Sequence, residues 1–372
     1  MVPIDPSIPD AGGSLNALLK SGESRSSALG SKLAYAIAGS WRPAPPVFAW
    51  DQASLDSVRT PLIASGCAFL VWRRIRDDRN LNSSSTTAFL RDLWRMNALK
   101  VAAQRQQLAL VLARLAKAKI QGILLKGLSV ASLYPDPRLR PLGDIDLYVS
   151  SEQFNGAKKV IAELYDEGII APVDLEHEAN SWTSISFDEL LKRCGTLDVC
   201  GSTAYVLRPE DNLRFLCLHF LQHGGRRALW LCDVAVAIEN RPTGFDWNLC
   251  LGTQPAVRNW VASVISLAGN LIGANIADTP IAREIKKLPH WLPKTVLSQW
   301  GCRVSSNMDG PSAPVPSPIG PVAFIRALRQ RWPDPISATV RVGGRLDNSP
   351  RLIYQLKWGL QRAAKFYFPR PA

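Results

Sequence analysis

The apolar positions of the chain follow a helical period up to about residue 120 and return to it after about residue 208. Residues 51–79 place Leu55, Val58, Leu62, Ile63, Phe69 and Leu70 at helical spacing. A Ser/Thr cluster from Ser83 then caps a long helix, roughly Thr87 to Lys119, carried by Phe89, Leu93, Met96, Leu99, Val101, Leu108, Val111 and Leu115. At "AKIQGILLKG" the period changes. Ile123-Leu124-Leu125 is a short continuous apolar run, Ile145-Asp146-Leu147-Tyr148-Val149 is another, and both read as buried strands. Between them, Ser129 to Tyr134 makes a short helix that Pro135 and Pro137 end. "SSEQFNGAKKVIAELYDEG" opens on a Ser-x-x-Gln cap and holds helical spacing until Gly168. Two further strands are expected at 182–188 (WTSISFD) and 195–201 (GTLDVCG).

Beyond them the pattern is helical again, at 209–223, 226–239, 255–274 and 281–299. A Pro/Ser/Gly linker covers 309–320 and basic helical segments follow it. The fold class is therefore α+β, a small mixed β-sheet core flanked by helices. Five stretches are expected: a loosely ordered segment (1–50), N-terminal helices (51–119), the mixed core (120–208), a helical domain (209–308), and a linker with a basic helical end (309–372).

Composition changes this picture in one respect. Hydrophobic content of 47% and charge of 20% are ordinary for a globular chain of 372 residues, but the net charge is +13. From Ile281 on there are 15 Lys/Arg against four Asp/Glu. Such an end suits an anionic partner, or a solvated basic face. The seven cysteines show no CxxC pair and fit a reducing compartment. The start, "MVPIDPSIPDAGGS", has neither the basic nor the apolar region of a signal peptide. Trp260 to Ala277 approaches membrane-span length, but Gly269, Asn270, Gly273 and Asn275 interrupt it, so a core helix and a cytoplasmic protein are expected.

The chemistry concentrates in "LLKGLSVASLYPDPRLRPLGDIDLYVS", residues 124–150. Alternate strand residues share a face, so Asp144 and Asp146 project side by side. Adjacent carboxylates repel unless a cation lies between them, and paired hard oxygens are what Mg²⁺ (or Mn²⁺) uses beside a nucleoside triphosphate. Asp198, in Leu197-Asp198-Val199, repeats the apolar-Asp-apolar frame and is the candidate third metal-binding carboxylate. Lys126 and Gly127 end a strand just before a helix containing Ser129, a place where backbone N–H groups can cradle phosphate. Arg138 and Arg140 suit the triphosphate, or ion pairs with Asp136 or Asp144. His219 and His223, four apart on one helical face, suit packing, nucleotide stacking or a metal, and Arg226, Arg227 and Asp233 suit an internal ion network.

"LLKG…YPDPRLRPLGDIDLYV" resembles a bacterial family of uncharacterised nucleotidyltransferases within the DNA polymerase β-like superfamily. "CLHFLQHGGRRALWLCDVAVAIEN" (217–240) is similar to that family's His-containing helix, Arg/Trp-rich turn and aspartate, so the likeness spans about residues 86–250. The resemblance implies Gly127 at the conserved-type turn, Asp144 and Asp146 as the metal pair, Asp198 as the third acid and a site role for Asp233. It implies Mg²⁺-dependent transfer of a nucleoside monophosphate from a nucleoside triphosphate to an acceptor hydroxyl of a small molecule, peptide, protein or RNA. The run Asp198-Val199-Cys200-Gly201 departs from the family pattern. Two alternatives therefore stand beside it: nucleotide or RNA binding without catalysis through the basic end, and phosphoryl transfer at the same site.

Overall fold

In the computed structural model, residues 25–47, 49–169, 171–177, 185–282, 288–302 and 332–367 are described. Helices α1 (Arg25–Ile37), α2 (Gln52–Ser57), α3 (Arg59–Ala64) and α4 (Ala68–Ile75) precede the 33-residue α5 (Ser85–Lys117). The helical spacing of 51–79 is thus cut into three pieces. Gly66, at φ +78°, supplies the sharpest break. Strands β1 (Gly122–Leu124) and β2 (Ile145–Val149) follow as the apolar pattern predicts; the short helix between them, α6 (Leu128–Ala131), is a single turn that stops before Tyr134, and a 3-10 turn at Pro137–Leu139 lies in the loop.

Next come α7 (Phe154–Asp166), β3 (Val173–Glu176), α8 (Phe187–Arg193), β4 (Gly195–Val199) and β5 (Ser202–Val206). The strand expected at 182–188 falls partly on 181–184, which lie outside the described residues, and at its described end Phe187 begins a helix. Ser186 is the reason. Its Oγ accepts from Glu189 N–H (3.3 Å) while Asp188 and Glu189 fill the first turn, a capping box that outweighs the apolar alternation. The expected strand at 195–201 is a strand and a turn. Cys200 and Gly201, both at positive φ, join β4 to β5 as a two-residue hairpin.

The remaining described helices are α9 (Pro209–Gln222), α10 (Ala228–Glu239), α11 (Trp247–Leu251), α12 (Pro255–Ile272), α13 (Trp291–Gly301), α14 (Pro335–Arg341) and α15 (Arg351–Tyr367). The 309–320 linker lies outside the described residues. Residues 260–277 divide between α12 and a left-handed Gly273 cap, and none of the described helices is long and apolar enough to cross a membrane.

The five strands form one mixed sheet in the order β3-β2-β1-β5-β4, so the class is α+β as expected. β1 runs antiparallel to β2 and parallel to β5, and β2 runs parallel to β3. Period two divides β2 between two cores. Ile145, Leu147 and Val149 pack with Val101, Leu108, Val111 and Leu115 of α5 and with Ile161 and Leu164 of α7. Tyr148 points the other way, into the core of helices α8 to α10. By the same alternation Asp144 and Asp146 face those helices.

The N-terminal helix is fastened to α13 by two glycines. A Cβ on Gly30 would run into the Leu297 carbonyl, and one on Gly301 into the Ser26 carbonyl, so backbone meets backbone at this crossing. Gly30→Ala should lower the unfolding free energy by about 1–3 kcal/mol, the usual cost of overpacking. Gly156, on the exposed side of α7, meets only the end of the Ile120 side chain, and Gly156→Ala should raise it by up to ~1 kcal/mol. Urea unfolding of both variants checks the opposite signs.

Candidate functional site

Loop 138–143 carries the chain from the 3-10 turn to β2, and α5 holds it. Asn97 and Gln104 are seven apart on the apolar stripe of α5, yet both are buried. Asn97 Nδ2 donates to the Arg138 carbonyl (2.8 Å) and Gln104 Nε2 donates to the Gly143 carbonyl. These two positioning residues were missed in the sequence. The available signal was a pair of amides interrupting a helix's buried face.

Beyond the loop opens a cleft of about 600 Å³, with the sheet's acidic corner on one side and α9 and α10 on the other. Parallel pairing of β2 with β3 sets Asp174 directly opposite Asp146 and Glu176 opposite Tyr148. One oxygen from each of Asp144, Asp146 and Asp174 lies within 4.8 Å of the others. Octahedral ligands about 2.1 Å from Mg²⁺ stand roughly 3 Å apart when adjacent and 4.2 Å when opposed, so small side-chain movements would close the set on an ion. Asp146 is only 1% exposed, and Lys126 Nζ is 2.8 Å from its Oδ1. Among the described residues no well-aligned hydrogen bond reaches that buried oxygen, which fits a position that takes a cation.

Burial, reinforced by Asp144 and Glu176 and opposed by Lys126, pushes the Asp146 carboxyl up to about 7. Burial likewise raises Glu176, with Asp174 and Asp144 adding to the effect and Lys126 opposing it. The opposite wall is basic and aromatic: Arg227, Phe215, His219, His223 and Trp230 line it, with Lys100 at the edge. Burial drives His219 well below its ordinary value, and the charges of Lys126, His223, Arg140 and Arg227 add to this, so the imidazole is neutral at pH 7.

Several expected site residues fall elsewhere. Asp198 shares a sheet face with Asp146 but sits on β4, three strands from β2. It is also level with the start of β1, whereas Asp146 is level with its end. At ~4.8 Å per strand and ~3.3 Å per residue, the two are separated by close to 20 Å. The structure therefore groups Asp174, not Asp198, with the aspartate pair. Arg138 turns outward, bound through Nη2 and Nε to Asp136 (2.7–3.1 Å) with its guanidinium over the Trp94 ring. Arg140 lines the cleft, but its Nε and Nη2 are engaged by buried Asp233 at 2.9 Å, where Tyr134 also donates (2.8 Å). Asp233 thus pairs with Arg140, not with Arg226 or Arg227. Ser129 Oγ donates back to the Lys126 carbonyl (3.3 Å) and does not line the cleft. Lys126 and Gly127 do line it, with Gly127 at φ +66° as the cap of α6.

The five-stranded mixed sheet thus carries three carboxylates on one wall of a cleft whose other wall is basic and aromatic. A model of the family described as uncharacterised nucleotidyltransferase matches residues 61–268, more than half of the chain, and the chain belongs to that family. No curated protein and no solved structure matches it.

Asp146 makes stability depend on pH in a fixed direction. Its folded-state value lies above the unfolded ~3.9, so the native carboxyl keeps a proton that the unfolded chain has released. The resulting stabilisation is full below about pH 4 and is lost as pH rises to about 7, by up to ~4 kcal/mol. In EDTA, the unfolding free energy of Asp146→Asn minus that of wild type should therefore grow between pH 4 and pH 8; a constant difference would contradict the buried carboxyl. Asp233→Ala, which strands buried Arg140, should cost about 3–5 kcal/mol. Arg138→Ala, which breaks an exposed pair, should cost no more than ~1 kcal/mol by urea unfolding.

Proposed function

We propose that the protein is a divalent-metal-dependent nucleotidyltransferase, in which Asp144, Asp146 and Asp174 hold the metal and Asp174 takes the place expected for Asp198. The observation that carries this reading is the β2–β3 register. It gathers three carboxylates beside Lys126 on one wall of a cleft whose far wall is basic and aromatic. A divalent ion there supplies positive charge to the triphosphate and to the departing pyrophosphate. Lys126, released from Asp146, and Arg227, which has no carboxylate partner among the described residues, meet phosphate oxygens. Asp174, exposed at the cleft mouth, orients the acceptor hydroxyl toward the α-phosphorus. The acceptor oxygen forms the new P–O bond as its proton passes to solvent at the exposed side of the cleft, the bond from the α-phosphorus to the bridging oxygen breaks, and pyrophosphate leaves.

In this reading residues 120–208 form the catalytic unit and 209–308 the helical domain closing its cleft. The Gly127 turn followed by Asp-x-Asp supports a place in the DNA polymerase β-like superfamily. A nucleoside triphosphate donor and cysteines without a pairing pattern favour the cytoplasm.

Calorimetric titration with ATP, GTP, CTP and UTP, with and without Mg²⁺, tests the assignment. Wild type and Asp198→Ala should bind at least one triphosphate in a Mg²⁺-dependent manner, with affinities within about threefold of each other, since Asp198 is remote. Asp146→Ala and Asp174→Ala should lose that dependence. Loss in Asp198→Ala with retention in Asp174→Ala would restore the original third acid. Metal-independent binding throughout would favour a binding protein without transfer.

A further inference from the structure

The proposed function leaves the rings of the wall opposite the carboxylates without a task. Helix α9 ends at His223, where Gly224 (φ +70°) and Gly225 (φ +72°) reverse the chain and return it as α10. The turn is held by Gly225 N–H donating to the Phe220 carbonyl (2.8 Å) and by Trp300 Nε1 donating to the Gly225 carbonyl (2.8 Å). This brings Trp230 against both histidines, its ring centroid 4.6 Å from His219 and 5.0 Å from His223, while the two imidazoles are 4.5 Å apart. Trp230 and His219 are buried and His223 is exposed at the cleft surface. The exposed imidazole thus rests against two buried rings that are tilted 53° and 56° to it.

We propose that the base of the donor nucleotide stacks on His223, which His219 and Trp230 hold in place. The assignment rests on the transferase reading and adds its base subsite. The order of groups across the cleft supports it. The carboxylates come first; then Lys126, which touches Asp146, and Arg227, whose guanidinium lies 5.3 Å from the Trp230 ring centroid; then the rings. That is the order of metal, phosphates and base in a nucleoside triphosphate. His219 and His223 as a metal pair is the competing use of these side chains. Among the described residues, however, the cluster suited to an ion is Asp144, Asp146 and Asp174. Stacking is tolerant of base identity and grows with ring area, so purine nucleotides should bind more tightly than pyrimidine nucleotides.

The test compares nucleotides with inorganic tripolyphosphate, which carries the phosphates and no base. Dissociation constants in Mg²⁺ are measured for wild type, His223→Ala and His223→Phe. His223→Ala should weaken the best-bound nucleotide by about tenfold, within the range known for loss of one stacking contact, and leave tripolyphosphate within twofold of wild type. His223→Phe should restore nucleotide binding, and circular dichroism should match for all three. His223→Ala binding nucleotides like wild type would overturn the stacking proposal alone. An equal loss of tripolyphosphate would also overturn it, by moving His223 to the phosphates. A wild type that binds neither ligand would overturn the transferase reading and this one with it.

Discussion

The register between β2 and β3 governs the rest of the site. Because the two strands are parallel and Asp146 is paired with Asp174, a buried carboxylate acquires an exposed partner on the next strand and Asp144 joins them from the strand's mouth. A slip of one residue would turn Asp174 toward α5 and α7 and bring Val173 or Leu175 to the cleft. The apolar packing of Val173 and Leu175 against that core prevents the slip. The placement of the acids is thus enforced by hydrophobic residues that never meet a ligand.

The same division of labour runs through the other wall. Arg140 and Asp233 bind each other so completely that neither is free for chemistry, yet their pair joins loop 138–143 to α10. Asn97 and Gln104 hold the other side of this loop from α5. The loop that leads into the aspartates is therefore tied to both halves of the molecule, and cleft width is set by buried polar contacts with little freedom to change.

The aspartate pair was legible in the sequence because Ile145 to Val149 is a buried strand with a strong local pattern. The helices around it were legible from their period and caps. Asp174 was not. Val173-Asp174-Leu175 has the same frame as Leu197-Asp198-Val199, and choosing between them requires knowing which strand lies beside β2. Strand order is set by packing across the sheet, which no local pattern encodes. The different settings of Arg138 and Arg140 have a similar origin. Two arginines separated by one residue look alike in a loop, but the 3-10 turn sends one to solvent and the other into the core.

Lys126 has a consequence for selectivity. Its ammonium is a counter-ion tethered to the chain, so its local concentration at Asp146 does not fall when the surrounding medium is dilute. A free monovalent cation brings the same charge without the tether and is a poor competitor. In the proposed function a divalent ion would have to displace this ammonium, and it brings twice the charge and can engage three carboxylates together. The buried carboxylate of the cleft thus already has a cation beside it, supplied by the chain itself.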